Sequence, residues 1–277
     1  MKIKIWGVRG SLPISGPETN RYGGNTSCTL IHHQGHTIIM DGGSGMQRLI
    51  LNHDLGHQRI DILLTHFHLD HIQGLGFFKP FFDPTMEIHV WGPASSVSSL
   101  HARLSRYLSP PLFPVLIRDL PCKLVLHEID NSEFEIGPFE IQSRFVIHPG
   151  PTVGYRIQCN DKIFTYIPDH EQALGRNGMI HDARWISGID LARSADLLYH
   201  DGQYTRDEYA KRVGWGHSSQ EDALQFGSYT GVKRLLLAHH DPSRTDIELD
   251  EIDLKLRDSM ETDYVYEFAR EGMEFDL

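Results

Sequence analysis

The amino-acid sequence predicts a layered α/β fold, and three observations lead to that prediction. Strand-like segments rich in β-branched and aromatic residues recur along the 277 residues, and turn residues bound most of them. Helical patterns lie between some of these segments, and the last third alternates strand with helix. Several of the apolar runs also end in a histidine or an aspartate, as expected where a layered sheet presents polar groups at one edge.

The individual elements follow from periodicity and from turn signals. Strands are predicted at 2–8, 27–33, 36–41, 60–65, 87–92, 122–129, 139–148, 153–158, 162–169, 196–201 and 232–240. Helices are predicted at 44–53, 95–108, 204–213, 218–229 and 245–260. Ser218, Ser219 and Asp222 resemble a helix cap, which places His217 just before a helix begins.

No linker rich in Pro, Gly or Ser divides the chain, so one domain over residues 1–277 is expected. The aromatic and proline-rich stretches 79–86 and 109–115 predict irregular loops around a helical and loop insertion at about 79–121. Such an insertion is either a plain surface loop or a wall over a pocket.

Composition narrows the function classes. Acidic residues outnumber basic ones by 37 to 26, for a formal charge of −11, and no run of Lys and Arg provides a basic surface. This disfavours a long nucleic acid as partner but permits a small anionic ligand. The three cysteines form no CxxC pair, no apolar run approaches a membrane span, and the N-terminus lacks the apolar core of a signal peptide. A cytoplasmic protein with no membrane association is expected.

The segment 65-THFHLDH-71 is the main candidate for chemistry. His66 and His68 are two residues apart, so in an extended segment both point the same way and can reach one metal ion. Asp70 and His71 follow after a turn and are free to face a second ion. Zinc accepts His nitrogen and carboxylate oxygen at roughly 2.0–2.2 Å, and a site without Cys also admits manganese or iron. The alternative is a polar turn that is rich in histidine by coincidence.

The HxHxDH string after a strand resembles the metallo-β-lactamase fold superfamily, and in particular its ribonuclease Z-like and cyclic phosphodiesterase branch. The resemblance covers nearly the whole chain and implies a four-layer αββα sandwich. Further segments similar to the family's motifs are 36-HTIIMDGGSGMQRL-49, 148-HPGPTVGYRI-157, 166-YIPDH-170, 197-LLYHDGQYT-205, 216-GHSS-219 and 235-LLLAHHDP-242.

The resemblance implies two divalent metal ions, with Zn²⁺ as the first expectation and Mn²⁺ as the second. The implied ligands are His66, His68 and His148 for one ion, Asp70, His71 and His239 for the other, and Asp169 as a bridge. His240 competes with His239, because neighbours in a strand face opposite sides, and the family match favours His239. Asp41 is interpreted either as a carboxylate that holds a ligand histidine or as a turn residue.

The proposed catalytic residues are Asp70, His217 and Asp201. In the ribonuclease Z-like branch, a GHST histidine and a HEATF glutamate supply a proton to the leaving group, and His217 and Asp201 occupy the matching positions. Asp is one methylene shorter than the family's Glu, and the alternative role for His217 is that of a histidine beside a helix cap.

The glycine-rich opening, residues 7–28, is expected to contact a substrate phosphate through backbone N–H groups and a guanidinium. The alternative is a glycine-rich turn between two strands. The substrate-binding candidates within this opening are Arg9, Asn25, Thr26 and Ser27.

The interval between His148 and Asp169 is too short for the arm that ribonuclease Z uses to grip transfer RNA. A small or cyclic phosphodiester, such as a cyclic nucleotide, is therefore the predicted substrate. A thioesterase or lactonase on the same fold, a ribonuclease Z-like nuclease and a non-catalytic binding module are the alternatives, whereas class B β-lactamase activity fits poorly. The resemblance is compatible with a homodimer.

Overall fold

The computed structural model describes residues 1–52, 58–173, 180 and 182–277, and its strands form two seven-stranded sheets. The first sheet has the order β14-β1-β2-β3-β4-β5-β6. Its strands are β1 (Lys2–Gly7), β2 (Cys28–His33), β3 (His36–Met40), β4 (Arg59–Leu63), β5 (Glu87–Pro93), β6 (Lys123–Ile129) and β14 (Glu274–Asp276).

The second sheet has the order β13-β12-β11-β10-β9-β8-β7. Its strands are β7 (Glu133–Ile136), β8 (Phe139–Phe145), β9 (Val153–Cys159), β10 (Lys162–Ile167), β11 (Leu197–Asp201), β12 (Arg234–Ala238) and β13 (Val265–Phe268). Strands β3 to β6 run parallel, as do β10 to β13, so each sheet has an edge at which the carboxyl ends of several strands meet.

Helices cover the outer face of each sheet. They are α1 (Met46–Asn52), α2 (Leu69–Ile72), α3 (Leu100–Tyr107), α4 (Ile189–Ala192), α5 (Arg206–Tyr209), α6 (Gln220–Thr230) and α7 (Asp246–Ser259). Leu49 and Leu104 pack against the first sheet, and Leu224 and Leu249 pack against the second. A third apolar cluster lies between the sheets. The predicted four-layer αββα sandwich is confirmed.

The burial of the strands explains their sequences. All of the residues of β11 are buried, and β12 is buried from Leu235 to Ala238, because parallel strands in the middle of a sandwich are covered on both faces. These strands therefore read as continuous apolar runs. The structure also confirms the predicted cap, since the Ser219 hydroxyl accepts a hydrogen bond from the backbone N–H of Asp222 at 3.0 Å.

Several boundaries differ from the prediction. Strand β8 ends at Phe145 and β10 ends at Ile167, so His148 and Asp169 lie in loops just past the strands rather than within them. Helix α3 begins at Leu100 because Ser99 caps it, and residues 94–98 form a loop. The predicted helix 44–53 begins at Met46, and its last residue, His53, lies outside the described residues.

The segment 79–121, expected to be a helical and loop insertion, contains the strand that the sequence also predicts at 87–92. Strand β5 runs through this segment and is paired with β4 on one side and β6 on the other. The segment is therefore part of the first sheet, and only the stretches before and after β5 are loops and helix. The sequence also missed several short elements, namely α2, α4, β7, β13 and β14.

The N-terminal segment after β1 connects the two sheets near their carboxyl edges. Arg9 bridges to Thr26, which precedes β2, and to His240, which follows β12. The Gly10 N–H donates to the His240 carbonyl at 3.0 Å. Separately, among the described residues no helix is long and apolar enough to cross a membrane.

Candidate metal centre

The loop after β4 supplies part of a cluster that we call group one, which contains His66, His68, His148 and Asp169. One potential ligand atom from each of these residues lies within 4.8 Å of the others. The Nε2 atom of His148 is 3.1 Å from Nδ1 of His68. His68 is exposed, whereas the other three side chains are buried.

A second cluster, group two, contains Asp70, His71 and His239, all buried, with ligand atoms that also lie within 4.8 Å of one another. The single turn of α2 carries Asp70 and His71, and His239 follows the end of β12. The Oδ2 atom of Asp70 is 3.4 Å from Nε2 of His71 and 3.2 Å from Nε2 of His239.

The carboxylate of Asp169 lies between the two groups. Its Oδ2 atom is 3.6 Å from Nε2 of His66 and 3.6 Å from Nε2 of His148. Its Oδ1 atom is 3.1 Å from Nε2 of His71 and 3.2 Å from Nε2 of His239. Each oxygen therefore faces one group, which is the arrangement that a carboxylate shared by two cations requires.

The donor set fits a pair of divalent cations. Buried polar atoms are normally hydrogen-bonded, yet Nε2 of His66, Nε2 of His71 and Oδ1 of Asp169 are buried without such a partner. The two ring nitrogens lie 3.6 and 3.1 Å from the oxygens of the Asp169 carboxylate. Imidazole nitrogen and carboxylate oxygen without thiolate suit zinc and also admit manganese or iron.

Groups behind the candidate ligands fix their rings. The Nδ1 atom of His148 donates to the Gly216 carbonyl at 2.7 Å, which leaves Nε2 free for a ligand role. The Nδ1 atom of His71 is 2.8 Å from Oδ2 of Asp41, and Oδ1 of Asp41 accepts from the Thr65 N–H at 2.7 Å. Asp41 also has a left-handed backbone with φ 56°, as is common in turns. Asp41 therefore has both of the roles considered for it: it forms the turn, and its side chain holds the candidate ligand His71.

The two groups differ in electrostatics. In group one, burial lowers the pKa of His66 and His68, and it lowers that of His148 to about 4. In group two, burial also favours neutral imidazole, but Asp169 and Asp70 outweigh it and raise the pKa of His239 to about 9. The pKa of His71 is raised for the same reason.

His239 rather than His240 faces the cluster. The Nε2 atom of His240 donates to the Ala269 carbonyl at 2.8 Å on the far side of the chain. His239 is in the left-handed region with φ 58°, which turns its ring toward Asp70. A Cβ atom at Gly10 would lie 2.3 Å from the His239 ring, so only glycine allows the N-terminal segment to pass there.

The sequence predicted a pairing of His217 with Asp201, and the structure brings the two side chains together. The Nδ1 atom of His217 donates to Oδ2 of Asp201 at 2.7 Å. A ligand atom of His217 lies within 4.8 Å of those of Asp169 and His239. The shorter Asp side chain therefore reaches His217 from its buried position at the end of β11.

Backbone N–H groups fix the Asp201 carboxylate in place. Oδ2 accepts from the N–H of His170 at 3.1 Å, and Oδ1 accepts from the N–H groups of Gln203 at 3.0 Å and Ser218 at 3.3 Å. These three contacts hold the carboxylate in one orientation. Asp201 is therefore positioned to orient the ring of His217.

The expectation that Arg9 contacts a substrate phosphate is corrected. Arg9 is fully buried, and its guanidinium donates to the carbonyl oxygens of Gly23 and Arg244, both at 2.8 Å. A buried guanidinium bound to backbone carbonyls cannot meet an incoming phosphate. Arg9 instead ties the N-terminal loop to the segment after β12.

The other three candidates of the N-terminal loop have structural contacts as well. The Asn25 amide donates to Glu271 at 2.9 Å. Thr26 and Ser27 are fully buried, and the Thr26 hydroxyl accepts from the Ser44 N–H at 2.9 Å. The glycine-rich composition of the loop signalled phosphate binding, but the loop serves as a connection between sheets.

Sequence reasoning missed Glu171, which holds the loop that carries His217. Its buried carboxylate accepts from the Tyr209 hydroxyl at 2.7 Å, the Gly214 N–H at 2.8 Å and the Gly216 N–H at 3.1 Å. Gly216 is also the partner of His148, so Glu171 supports both sides of the cluster. No pattern in the sequence signals this role, because its partners lie about forty positions away.

A family model and a curated relative both match most of this chain. A model described as a beta-lactamase superfamily domain matches residues 36–240. A ribonuclease Z of Haloarcula marismortui is 24% identical over 317 residues, which cover 99% of this chain and 96% of that protein.

Solved structures share the fold over almost the full length. The metallo-beta-lactamase fold protein YhfI from Bacillus subtilis matches with a TM-score of 0.71 and 18% identity, covering 99% of each chain. A diphosphatase from the PhnP family matches with a TM-score of 0.70 and 15% identity, covering 99% of this chain and 96% of that one. At these identities the structures show the fold alone.

Proposed function

Because the chain belongs to the beta-lactamase superfamily, in its ribonuclease Z-like branch, we propose that it is a metal-dependent phosphodiesterase. We propose that it uses two divalent ions, Zn²⁺ first and Mn²⁺ second, on a small or cyclic phosphodiester. The observation that supports this most directly is the Asp169 carboxylate, whose two oxygens face two separate histidine groups beside the His217–Asp201 pair.

The proposed ligands are the residues of groups one and two, with Asp169 shared between them. Two bound divalent ions would supply a hydroxide nucleophile near neutral pH and would neutralise the charge that develops on the phosphoryl group. Asp41 and the Gly216 carbonyl keep the rings of His71 and His148 aligned during this reaction.

His217 is the proposed proton donor to the leaving oxygen. Asp201 accepts the Nδ1 proton of His217, so Nε2 is the atom available to the substrate. The same contact holds the His217 ring in one orientation, which a proton donor requires. His217 is partly exposed, with 12% of its side chain accessible, which suits a group that meets a substrate.

A small substrate is proposed because of what fills the interval between His148 and Asp169. Strand β9, a turn and strand β10 occupy it, and both strands are paired within the second sheet. No stretch is left for a protruding arm. The net charge of −11 also opposes a long polyanion.

A ribonuclease Z-like nuclease is the second candidate, because the relative from Haloarcula marismortui carries that name over nearly the whole chain. We also propose that residues 1–277 form one domain. The homodimer expected from the family resemblance stays a prediction, which light scattering of the purified protein would check.

The test compares the parent with His217→Ala after loading with Zn²⁺ or Mn²⁺ and after measuring the metal content. The substrates are bis(p-nitrophenyl) phosphate, 2′,3′-cyclic AMP, 3′,5′-cyclic AMP and a transfer-RNA precursor with a 3′ trailer. We expect parent hydrolysis of at least one small diester and a loss of about 100-fold in His217→Ala, the usual size of a general-acid effect. The loss should be larger for nucleotide leaving groups than for p-nitrophenolate, which departs without a proton.

His101→Ala is the matched control, because His101 is an exposed histidine on α3. Cleavage of the trailer without hydrolysis of any small diester would favour the nuclease. A metal-loaded parent that cleaves no diester but hydrolyses a thioester or a lactone would contradict the proposal.

A further inference from the structure

A cleft of about 500 Å³ lies between helix α3 and the turn that follows β8. One wall is the serine-rich loop 94–98 with Arg103 and Arg106 of α3, and the opposite wall is formed by Phe145 and Pro151. None of these residues belongs to group one or group two, and the proposed function gives the cleft no role.

The cleft adjoins the metal centre. The guanidinium of Arg103 lies 4.5 Å from the ring centroid of Phe67, the residue between His66 and His68. Pro151, on the opposite wall, follows His148 by three positions. The cleft therefore lies beside both of the segments that carry the histidines of group one.

The charge of the cleft is opposite to that of the protein. Its described lining contains two arginines and no Asp or Glu, although the chain carries a formal charge of −11. Arg106 has neither a hydrogen bond nor an ion pair with any described residue. Arg103 donates one N–H to the Pro93 carbonyl, and its Nε is buried without a partner.

The neighbouring carboxylate does not neutralise these arginines by direct pairing. Glu128 accepts a hydrogen bond from the backbone N–H of Leu100 at the start of α3. The Ser99 hydroxyl accepts from Ala102 in the same turn, so the helix start is already capped. The exposed guanidinium of Arg106 is thus available to an anion from solution, together with the hydroxyls of Ser95, Ser96 and Ser98, and Arg103 adds a second positive charge to the same wall.

We propose that this cleft binds a phosphate monoester carried by the substrate whose diester is cleaved at the metal centre. The inference rests on the proposed function and names a substrate class within it, a phosphodiester with a second, terminal phosphate. Guanidinium and hydroxyl groups recognise the phosphate oxygens, and the exposed apolar surface of Phe145 contacts the organic part that joins the two phosphates.

The test uses two substrates that differ by one phosphate: the p-nitrophenyl ester of thymidine 3′-phosphate and the same ester with a 5′-phosphate. In the parent we expect KM to be about tenfold lower for the 5′-phosphorylated ester, the value of one charge-assisted contact. In Arg106→Gln the two esters should have nearly equal KM values. In the parent, added salt should reduce the tenfold difference between the two KM values. Arg118→Gln, an exposed arginine outside the cleft, is the matched control and should keep the parent's ratio.

A parent without preference, or an Arg106→Gln variant that retains the full preference, would overturn the inference. If the parent hydrolyses neither ester, the proposed function fails. A binding measurement then tests separately whether the cleft holds a phosphate. Calorimetry would compare thymidine 3′-phosphate with thymidine 3′,5′-bisphosphate on the metal-loaded parent and on Arg106→Gln. Tighter binding of the bisphosphate that disappears in the variant supports the cleft, and equal binding in both proteins rejects it.

Discussion

Groups one and two of the candidate metal centre are built from the same residue types but are supported in opposite ways. In group one, the direct partners of the rings are neutral: the Gly216 carbonyl accepts from His148, and the Thr65 hydroxyl, which itself donates to Asp41, lies 3.1 Å from Nδ1 of His66. In group two, charged and backbone N–H groups dominate, since Asp41 binds His71 and the Ser11 N–H donates to Asp70 at 2.7 Å.

The difference shows how one fold can give two adjacent sites different charge and different exposure. Group one is open at His68 and its histidines favour the neutral form, whereas group two is closed and has an extra carboxylate behind it. The excess of negative charge in group two attracts a cation more strongly. We expect the ion in group two to be held more tightly and the ion in group one to exchange more readily.

Asp169→Asn should have the largest effect, because the shared carboxylate serves both groups. Loss of its charge is expected to lower diester hydrolysis by roughly 1,000-fold, corresponding to about 4 kcal/mol of lost charge stabilisation. Metal content by mass spectrometry and turnover would be measured together. Asp161→Asn, a change of the same kind at an exposed site, is the control, and a metal content equal to the parent's would remove Asp169 from the ligand set.

Asp41→Asn should affect the two groups unequally. The change removes the charge behind His71 and leaves the Gly216 contact of His148 intact. We expect metal affinity to fall by about 10–100-fold at one of two sites, as is typical when a group behind a metal ligand is altered. Competition with a chelator would show one site with reduced metal affinity and one with the parent's affinity. An equal loss of affinity at both sites would contradict the proposed difference between the groups.

Glu171→Gln tests the support of the His217 loop. The amide retains one acceptor oxygen, so at least one of the N–H groups of Gly214 and Gly216 loses its partner. The expected cost is about 1–3 kcal/mol in the free energy of unfolding, measured with denaturant. Glu261→Gln, at an exposed position, should cost nothing measurable. Unchanged stability in Glu171→Gln would show that the loop does not depend on this carboxylate.

The opposite pKa shifts predict a stability maximum for the metal-free protein near neutral pH. The pKa of His148 falls to about 4 when the chain folds, so its contribution to stability is lost as pH decreases from the unfolded value of 6.5 toward 4. The pKa of His239 rises to about 9, so its contribution is present below 6.5 and is lost as pH increases through 9. Melting temperatures of chelator-treated protein from pH 5 to 9 would show both declines; a flat profile would contradict the prediction.

Much of the site was predictable because its residues lie at strand ends. An apolar run followed by His or Asp signals both the buried strand and the polar group at its edge, as for His66, Asp169 and His239. The family resemblance then supplied the pairing of His217 with Asp201. The structure brings these residues together, and their chemical roles stay predictions until the variants are measured.

What the sequence did not reveal depends on contacts between distant segments. The carboxylate of Glu171 and the glycine at position 10 acquire their roles only when the loop before His217 and the segment after β1 pack against the cluster. The same limit explains the error at Arg9, since composition cannot distinguish an arginine facing solvent from one buried among carbonyls. Helix α2 has a single turn, which is too short for periodicity to detect.

The turn Asp130–Ser132 separates the strands of the first sheet, apart from β14, from those of the second. His66, His68, Asp70 and His71 come before this turn, whereas His148, Asp169 and His239 come after it. Ions coordinated by both sets would act as cross-links between two halves of the sandwich. A chain cut at this turn would become a split protein whose fragments share the apolar cluster between the sheets, and bound metal would add to that association, so chelation should weaken their reassembly.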